Sequence, residues 1–161
     1  MGAPIQRTMS TSTRQPVIDE TIGFIGSGNM CQALVGGLIN KGAAKNSQIL
    51  CSDKYKTQLR AMEERFDVQT YNGDGGNIEI AKRAKIIVLA IKPPQLKEVL
   101  NEIKDYLTED HLILSVVAGA TIDTISKEID GHKRVSRMMP NTPAMLGAGA
   151  GAYSMMDDAT A

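Results

Sequence analysis

The sequence predicts an α/β protein with a doubly wound, mainly parallel sheet and helices on both faces. From Thr21 onward, short apolar runs alternate with stretches in which apolar residues recur at helical spacing. A glycine-rich turn, Gly26-Ser-Gly28, lies directly between the first apolar run and the first helical stretch. The segment 85–91 (KIIVLAI) is almost wholly apolar, as in a parallel strand covered on both faces. Together these features are typical of a Rossmann-type domain.

The first half of the sequence predicts three strands and three helices. Met30, Leu34 and Leu38 recur at helical spacing, and Gly42 ends that helix. The cluster 72–76 (NGDGG) is typical of a turn that opens a short helix. The predicted strands span residues 21–26, 48–52 and 67–70, and the predicted helices span 29–41, 55–65 and the stretch from the glycine cluster to 83.

The second half predicts four more strands and two helices. Pro93 and Pro94 suit the first turn of a helix whose apolar residues form one stripe, and Thr121 suits an N-cap. The predicted strands span residues 85–91, 111–118 and 133–138, with a short edge strand at 151–155. The predicted helices begin at 93 and at 121, and the second ends at 129.

Composition excludes several classes of partner. Lys plus Arg and Asp plus Glu both number 18, so no net charge favours nucleic acid or an anionic membrane. The longest apolar runs are too short to span a bilayer. Cys31 and Cys51 form no CxxC pair, so we expect buried thiols in a reducing compartment, and no metal site. We therefore expect a cytoplasmic protein without nucleic-acid or membrane partners.

We expect residues 1–20 to be a disordered or leader segment, and residues 21–161 to form one domain. The first segment contains Arg7, Arg14 and several Ser and Thr, and has no acidic residue before Asp19. This composition resembles an organelle transit peptide, so a mitochondrial location stays open.

The glycine turn indicates a dinucleotide-binding site. Gly26 would allow the tight turn, and Gly28 would let a pyrophosphate approach the backbone without meeting a Cβ atom. The third position is Cys31, where the pattern has Gly or Ala, and cysteine is small enough to keep helix and strand close. The alternative is a tight connection that binds no ligand.

The end of the second predicted strand leaves the choice between NAD and NADP open. Asp53 suits the ribose hydroxyls of NAD. Ser52, Lys54 and Lys56 could instead hold the 2′-phosphate of NADP by hydrogen bond and charge.

Four segments resemble the N-terminal half of the pyrroline-5-carboxylate reductase family. They are GFIGSGNM (23–30), LAIKP (89–93), SVVAGATI (115–122) and RMMPNTPAMLGAGA (137–150), in that order. The resemblance implies an NAD(P)H-dependent enzyme that reduces Δ1-pyrroline-5-carboxylate to L-proline, the last step of proline biosynthesis. A non-catalytic NAD(P)-binding domain and another imine or β-hydroxyacid reductase on the same fold are the alternatives.

The resemblance also implies roles for individual residues, and none of them is a certain catalytic residue. The pyrophosphate would be held by Ile25, Gly26, Ser27, Gly28, Asn29 and Met30. The adenosine ribose or its phosphate would contact Ser52, Asp53, Lys54 and Asn77. The nicotinamide side would be bordered by Ile91, Lys92 and Ala118. The substrate-facing candidates are Met139, Pro140, Asn141, Thr142 and Pro143, in the loop after the sixth strand.

The resemblance further implies a C-terminal helical domain that forms homo-oligomers and completes the substrate site. No such helices are expected before Ala161, and the glutamate common after MPNTP is absent from 147–151 (GAGAG). We expect the sequence to be a fragment of a full reductase. A naturally short form that binds cofactor without turnover, and helices supplied by another chain, stay open.

Overall fold

The computed structural model describes residues 17–73, 75–140 and 151–155. Its strands are β1 (Ile22–Ile25), β2 (Ile49–Asp53), β3 (Gln69–Asn72), β4 (Ile86–Leu89), β5 (Leu112–Ser115), β6 (Val135–Pro140) and β7 (Gly151–Met155). Its helices are α1 (Asn29–Asn40), α2 (Lys56–Phe66), α3 (Gly76–Arg83), α4 (Leu96–Ile103) and α5 (Ile122–Glu128). Short 3₁₀ turns occupy Asn46–Gln48, Pro93–Gln95 and Lys104–Tyr106.

The strands form one sheet in the order β3-β2-β1-β4-β5-β6-β7. The pairs from β3 to β6 are parallel, and β7 pairs antiparallel with β6. The chain runs outward from β1 to β3 and then crosses to β4 on the other side of β1. The strand order therefore reverses between β1 and β4, as in a doubly wound sheet. The predicted fold class and the predicted edge strand are confirmed.

Alternate residues of the buried strands pack against helices on opposite faces of the sheet. On β1, Phe24 joins an apolar cluster with α1 and α2, while Ile25 joins a cluster with α3, α4 and α5. The first cluster is built from Ile22, Phe24, Cys31, Val35, Ile49, Cys51, Leu59, Met62 and Val88 among others. The second includes Ile25, Leu50, Ile80, Ile87, Leu89, Leu100, Ile103, Ile113 and Ile125. Both faces of the sheet are thus covered, which explains its long apolar runs.

The sixth strand is longer than predicted. Met139 and Pro140 continue β6, where they pair with Ala152 and Gly151 of β7. The prediction that these two residues lie in a loop was wrong, because the antiparallel partner extends the strand beyond its last pairing with β5, at Arg137. Asn141, Thr142 and Pro143 lie outside the described residues.

The threonine predicted as an N-cap is confirmed, whereas the prolines predicted in the first turn of a helix lie just before it. Pro93 and Pro94 form the short turn that leads into α4 rather than the first turn of α4 itself. Thr121 caps α5, since its hydroxyl accepts a hydrogen bond from the Thr124 backbone N–H at 3.1 Å.

The beginning of the described chain is tied to the loop after α1. The Ile18 backbone N–H donates to the Ala43 carbonyl at 3.0 Å, and the Gln48 amide donates to the Ile18 carbonyl at 2.8 Å. Residues 1–16 of the predicted leader segment lie outside the described residues.

Gly23 allows α3 to pack directly on the backbone of β1. A Cβ atom at this position would overlap Cγ2 of Ile80 and lie 2.8 Å from Cβ of Ala84. Both neighbours lie on or just after α3, and the Cβ atom of Ala84 cannot withdraw without moving the end of that helix. The position of α3, which carries residues of the cleft described below, therefore depends on the missing side chain at residue 23.

We predict that Gly23→Ala lowers the free energy of unfolding by roughly 1–3 kcal/mol, because the added methyl group overpacks this contact. Urea denaturation provides the measurement. Gly37→Ala on α1 is the matched control, since a Cβ atom there meets no atom within 4 Å. It should be neutral or stabilising by up to about 1 kcal/mol. Equal unfolding midpoints for both variants would contradict the packing argument.

Candidate cofactor cleft

A cleft of about 620 Å³ opens at the carboxyl ends of β1, β2 and β4. It lies at the point where the strand order reverses, which is where open α/β sheets bind ligands. The turn after β1 forms one wall, and the residues after β4 together with α4 form another. The lining residues are Ile25, Gly26, Gly28, Ser52, Asp53, Lys54, Tyr55, Gln58, Gly73, Gly75, Asn77, Ala90, Ile91, Lys92, Gln95, Glu98, Val99 and Glu102.

Gly26 is required by the protein itself. Its φ of +95° lies in a region that side chains disfavour, and an added Cβ atom would lie 2.5 Å from the Ala90 carbonyl oxygen. Its N–H also donates to the Ser52 carbonyl at 2.9 Å. The turn after β1 is therefore held against the ends of both neighbouring strands.

Gly28 has no comparable structural reason to be glycine. Its φ of −73° suits any residue, and an added Cβ atom would meet nothing within 4 Å. This residue lines the cleft and caps α1, whose first turn has no acidic residue and no side-chain cap. The bare backbone therefore leaves room, beside a helix N-terminus, for a group that the protein does not supply.

Cys31 fills the third position of the glycine pattern as a buried, small residue. It is fully inaccessible, and it lies against Cys51 of β2 in the cluster beneath α1. A hydrogen bond with Cys51, followed by burial, raises the pKa of the Cys31 thiol well above its usual value. Both cysteines are free thiols. The departure from Gly or Ala is thus accommodated by packing.

Asp53 links the glycine turn to the start of α2. One carboxylate oxygen, Oδ2, accepts from the Ser27 backbone N–H at 2.8 Å. The other, Oδ1, accepts from the Tyr55 backbone N–H at 2.9 Å. The carboxylate is therefore fixed at the cleft by two backbone donors. Lys54 also lines the cleft, and its ammonium group lies 5.1 Å from the centre of the Tyr55 ring.

A second polar group connects three elements across the cleft. Ser52 Oγ donates to Asn77 Oδ1 at 2.7 Å, and Asn77 Nδ2 donates to Glu102 Oε2 at 2.7 Å. Ser52 lies on β2, Asn77 on α3 and Glu102 on α4. The hydroxyl of Ser52 is buried, whereas the other two side chains are partly accessible.

The structure brings most of the predicted cofactor residues together. Nine of them line the cleft: Ile25, Gly26, Gly28, Ser52, Asp53, Lys54, Asn77, Ile91 and Lys92. Ser27 is buried and reaches the cleft through its contact with Asp53. Asn29 and Met30 begin α1, and Ala118 is exposed in the turn after β5. Met139 is exposed on β6, beyond the carboxyl end of β5.

The sequence prediction missed the wall that α4 contributes. Gln95, Glu98 and Glu102 line the cleft, together with Tyr55 and Gln58 near the start of α2. The missed signal was spacing: residues 95, 98 and 102 share one helical face, next to the apolar stripe that was recognised. With Glu98 and Glu102 included, the cleft is lined by three carboxylates and by two lysines, Lys54 and Lys92. The third carboxylate is that of Asp53.

Other chemical sites are not found in the described part of the chain. No group of three or more His, Cys, Asp or Glu residues there could hold a metal ion. No helix within the described ranges is long and apolar enough to cross a membrane. His111 has a structural role, because Nε2 bonds the Ala81 carbonyl at 3.0 Å and Nδ1 bonds Thr108.

Fold and cleft together define a Rossmann-type dinucleotide-binding domain. A family model described as "NADP oxidoreductase coenzyme F420-dependent" matches residues 21–119. This range runs from the start of β1 to the turn after β5, and it includes the whole cleft. The chain belongs to this family of NADP oxidoreductases.

Individual relatives confirm the resemblance to pyrroline-5-carboxylate reductases. The chain is 36% identical to the pyrroline-5-carboxylate reductase of Escherichia coli strain K12, over 82% of the chain and 48% of that protein. A structure of a Coxiella burnetii pyrroline-5-carboxylate reductase is 36% identical, with a TM-score of 0.77, over 83% of this chain and 48% of that one. A Plasmodium falciparum pyrroline carboxylate reductase with NADP bound is 28% identical, with a TM-score of 0.74, over 87% and 49%. The chain spans about half the length of the curated relatives it matches.

We predict that neither cysteine reacts quickly with the thiol reagent DTNB in the native protein. Burial excludes the reagent, and the raised pKa keeps Cys31 in its unreactive thiol form. In denaturant, both thiols of each chain should react within the mixing time of the experiment. A fast native phase with one thiol per chain would contradict the packing of Cys31 against Cys51.

Proposed function

We propose that this chain is the cofactor-binding part of an NAD(P)H-dependent reductase that converts Δ1-pyrroline-5-carboxylate to L-proline. The observation that carries the proposal is Gly28, where the backbone is bare, unstrained and open to the cleft. A protein gains nothing in packing from this glycine, whereas a pyrophosphate needs the space. The similarity to pyrroline-5-carboxylate reductases over more than four fifths of the chain supports the choice of reaction.

The residues of the cleft fit a dinucleotide. The first N–H groups of α1 have no side-chain cap, so they can donate to a pyrophosphate with help from the helix dipole. Asp53, Ser52 and Asn77 offer acceptors and donors to the adenosine ribose. Ile91 and Lys92, after β4, would border the nicotinamide half, with Ala118 farther along that edge.

Binding geometry would account for most of the catalysis. When bound, reduced nicotinamide supplies a hydride to the imine carbon, and the nitrogen takes its proton from solvent or is already protonated. The task of this chain is therefore to hold the cofactor at a distance suited to hydride transfer. The substrate-facing candidates remain Met139, Pro140, Asn141, Thr142 and Pro143, and no general acid or base is assigned.

The remainder of the substrate site would lie outside these 161 residues. We propose that the chain is a fragment of a longer reductase whose helical part forms homo-oligomers and binds the substrate carboxylate. The coverage of about half of each relative supports this proposal. A cytoplasmic location, with a mitochondrion as the alternative, also stays a prediction.

Cofactor titration followed by an assay of NADPH or NADH oxidation with pyrroline-5-carboxylate tests the function. We expect the chain to bind cofactor without turnover, and a longer chain with the helical part to turn over. Binding without rescue by the longer chain would favour the non-catalytic domain. Turnover of a different imine or β-hydroxyacid would favour another reductase, and failure to bind either cofactor would exclude all three functions.

We predict that Gly28→Ala weakens cofactor binding without lowering the stability of the fold. The methyl group meets no protein atom, so the urea midpoint should stay within error of the wild-type value. It would occupy the space of the pyrophosphate, so affinity for NADH and NADPH should fall at least tenfold. Gly26→Ala is the contrasting variant, because its Cβ atom would collide with the Ala90 carbonyl and lower stability. Unchanged affinity in Gly28→Ala would contradict the placement of the cofactor.

We predict that Asp53→Ser raises the affinity for NADPH relative to NADH by roughly tenfold, because it removes a charge that repels a 2′-phosphate. Asp53→Asn, which keeps the shape, should shift the ratio in the same direction. Lys54→Gln should shift it the opposite way. Calorimetric titration with both cofactors gives the ratio, and an unchanged ratio in both Asp53 variants would mean that this carboxylate does not face the phosphate position.

A further inference from the structure

In the hydrogen-bond chain from Ser52 through Asn77 to Glu102, Glu102 is the one side chain that cannot act as both donor and acceptor when ionised. A serine hydroxyl donates or accepts, and an asparagine amide can be turned to present either its oxygen or its nitrogen. An ionised carboxylate only accepts. Glu102 therefore decides which way the Asn77 amide points.

The distances agree with this order. Asn77 Nδ2 faces Glu102 Oε2 at 2.7 Å, so Asn77 Oδ1 is left to face Ser52 Oγ, also at 2.7 Å. Ser52 has a second acceptor in the Phe24 carbonyl at 3.4 Å, so it could satisfy its own donor without Asn77. Removing Glu102 would thus leave the amide free to turn, with no other described group to hold its nitrogen.

The fixed amide lies where a ligand would meet it. Ser52, Asn77 and Glu102 all line the cleft beside Asp53, at the end that accepts ribose in Rossmann-type domains. One hydrogen of Asn77 Nδ2 and the remaining lone pairs of Glu102 make no hydrogen bond with the described residues. A sugar hydroxyl both donates and accepts, so it matches such a donor and acceptor pair.

We propose that Glu102 is a positioning residue, which holds the Asn77 amide in the one orientation suited to the adenosine ribose of the cofactor. The proposal rests on the proposed function, since it requires that the cleft binds a nicotinamide dinucleotide. Glu102 acts through Asn77, so its contribution to binding disappears when Asn77 is absent.

A double-mutant cycle on the 161-residue chain tests the proposal. The affinity for NADH is measured by calorimetry for the wild-type chain, Glu102→Ala, Asn77→Ala and the double variant. Glu102→Ala should weaken NADH binding roughly fivefold to tenfold, because the Asn77 amide would no longer be held in position to hydrogen-bond the cofactor. In the Asn77→Ala background, the same substitution should change the affinity less than twofold.

Asp105→Ala is the control for charge. Asp105 follows α4 in the 3₁₀ turn Lys104–Tyr106, is exposed and carries the same charge, but it does not line the cleft and makes no hydrogen bond or ion pair with the described residues. Its removal should change NADH affinity less than twofold. Glu98→Ala tests the charge of the cleft wall, because Glu98 lies on the same helix and lines the cleft without a hydrogen bond to Asn77; its effect should be the same with and without Asn77. If Glu98→Ala and Glu102→Ala have equal effects in both backgrounds, the carboxylates act through their charge and the proposal is overturned.

A structural role for Glu102 gives a different result. It would lower the thermal midpoint and weaken binding equally in both backgrounds, which would overturn the proposal. If Glu102→Ala does not fold, Glu102→Gln, which keeps the size but loses the fixed polarity, takes its place in the cycle. If the wild-type chain binds NADH and Glu102→Ala binds it equally well, the role of Glu102 is refuted and the proposed function stands. If the wild-type chain does not bind NADH, the proposed function is refuted.

Discussion

The close packing of neighbouring elements on the backbone of β1 and of the turn after it is the constraint on which the rest of the structure depends. Gly23 brings α3 onto the strand, and Gly26 brings the turn against the end of β4. Both contacts involve atoms that a side chain would displace. Asn77 on α3 and Ile91 after β4 lie on the two elements that these contacts hold against β1 and its turn, and both residues line the cleft.

Gly23, Gly26 and Gly28 are therefore glycines for three different physical reasons. Gly23 is a packing requirement between a helix and a strand, and Gly26 combines a packing requirement with a positive φ. Gly28 has neither a packing requirement nor a positive φ, and its missing side chain leaves space in the cleft. The sequence pattern predicts different roles for Gly26 and Gly28, and the surrounding atoms agree, since a Cβ atom would collide with the protein at Gly26 and meet nothing at Gly28.

Much of the fold was predictable, because buried parallel strands such as β4 are read from continuous apolar runs. The glycine turn and Asp53 were predictable as parts of the site, since their spacing follows from the strand-turn-helix geometry. The wall formed by α4 was not predicted, because Glu98 and Glu102 resemble an ordinary solvated helix face until the strand order is known. The extension of β6 was also missed, since it depends on pairing with β7 rather than on local preference.

Two backbone hydrogen bonds tie Asp53, the residue proposed to set the cofactor preference, to the glycine turn and to the start of α2. A change at this position that alters the preference between the two nicotinamide cofactors also removes acceptors from Ser27 and Tyr55. Lys54 has no comparable role, because its side chain makes no hydrogen bond or ion pair with the described residues and lies over the exposed ring of Tyr55. Substitutions at residue 54 should therefore cost less stability than substitutions at residue 53, although both residues line the same cleft.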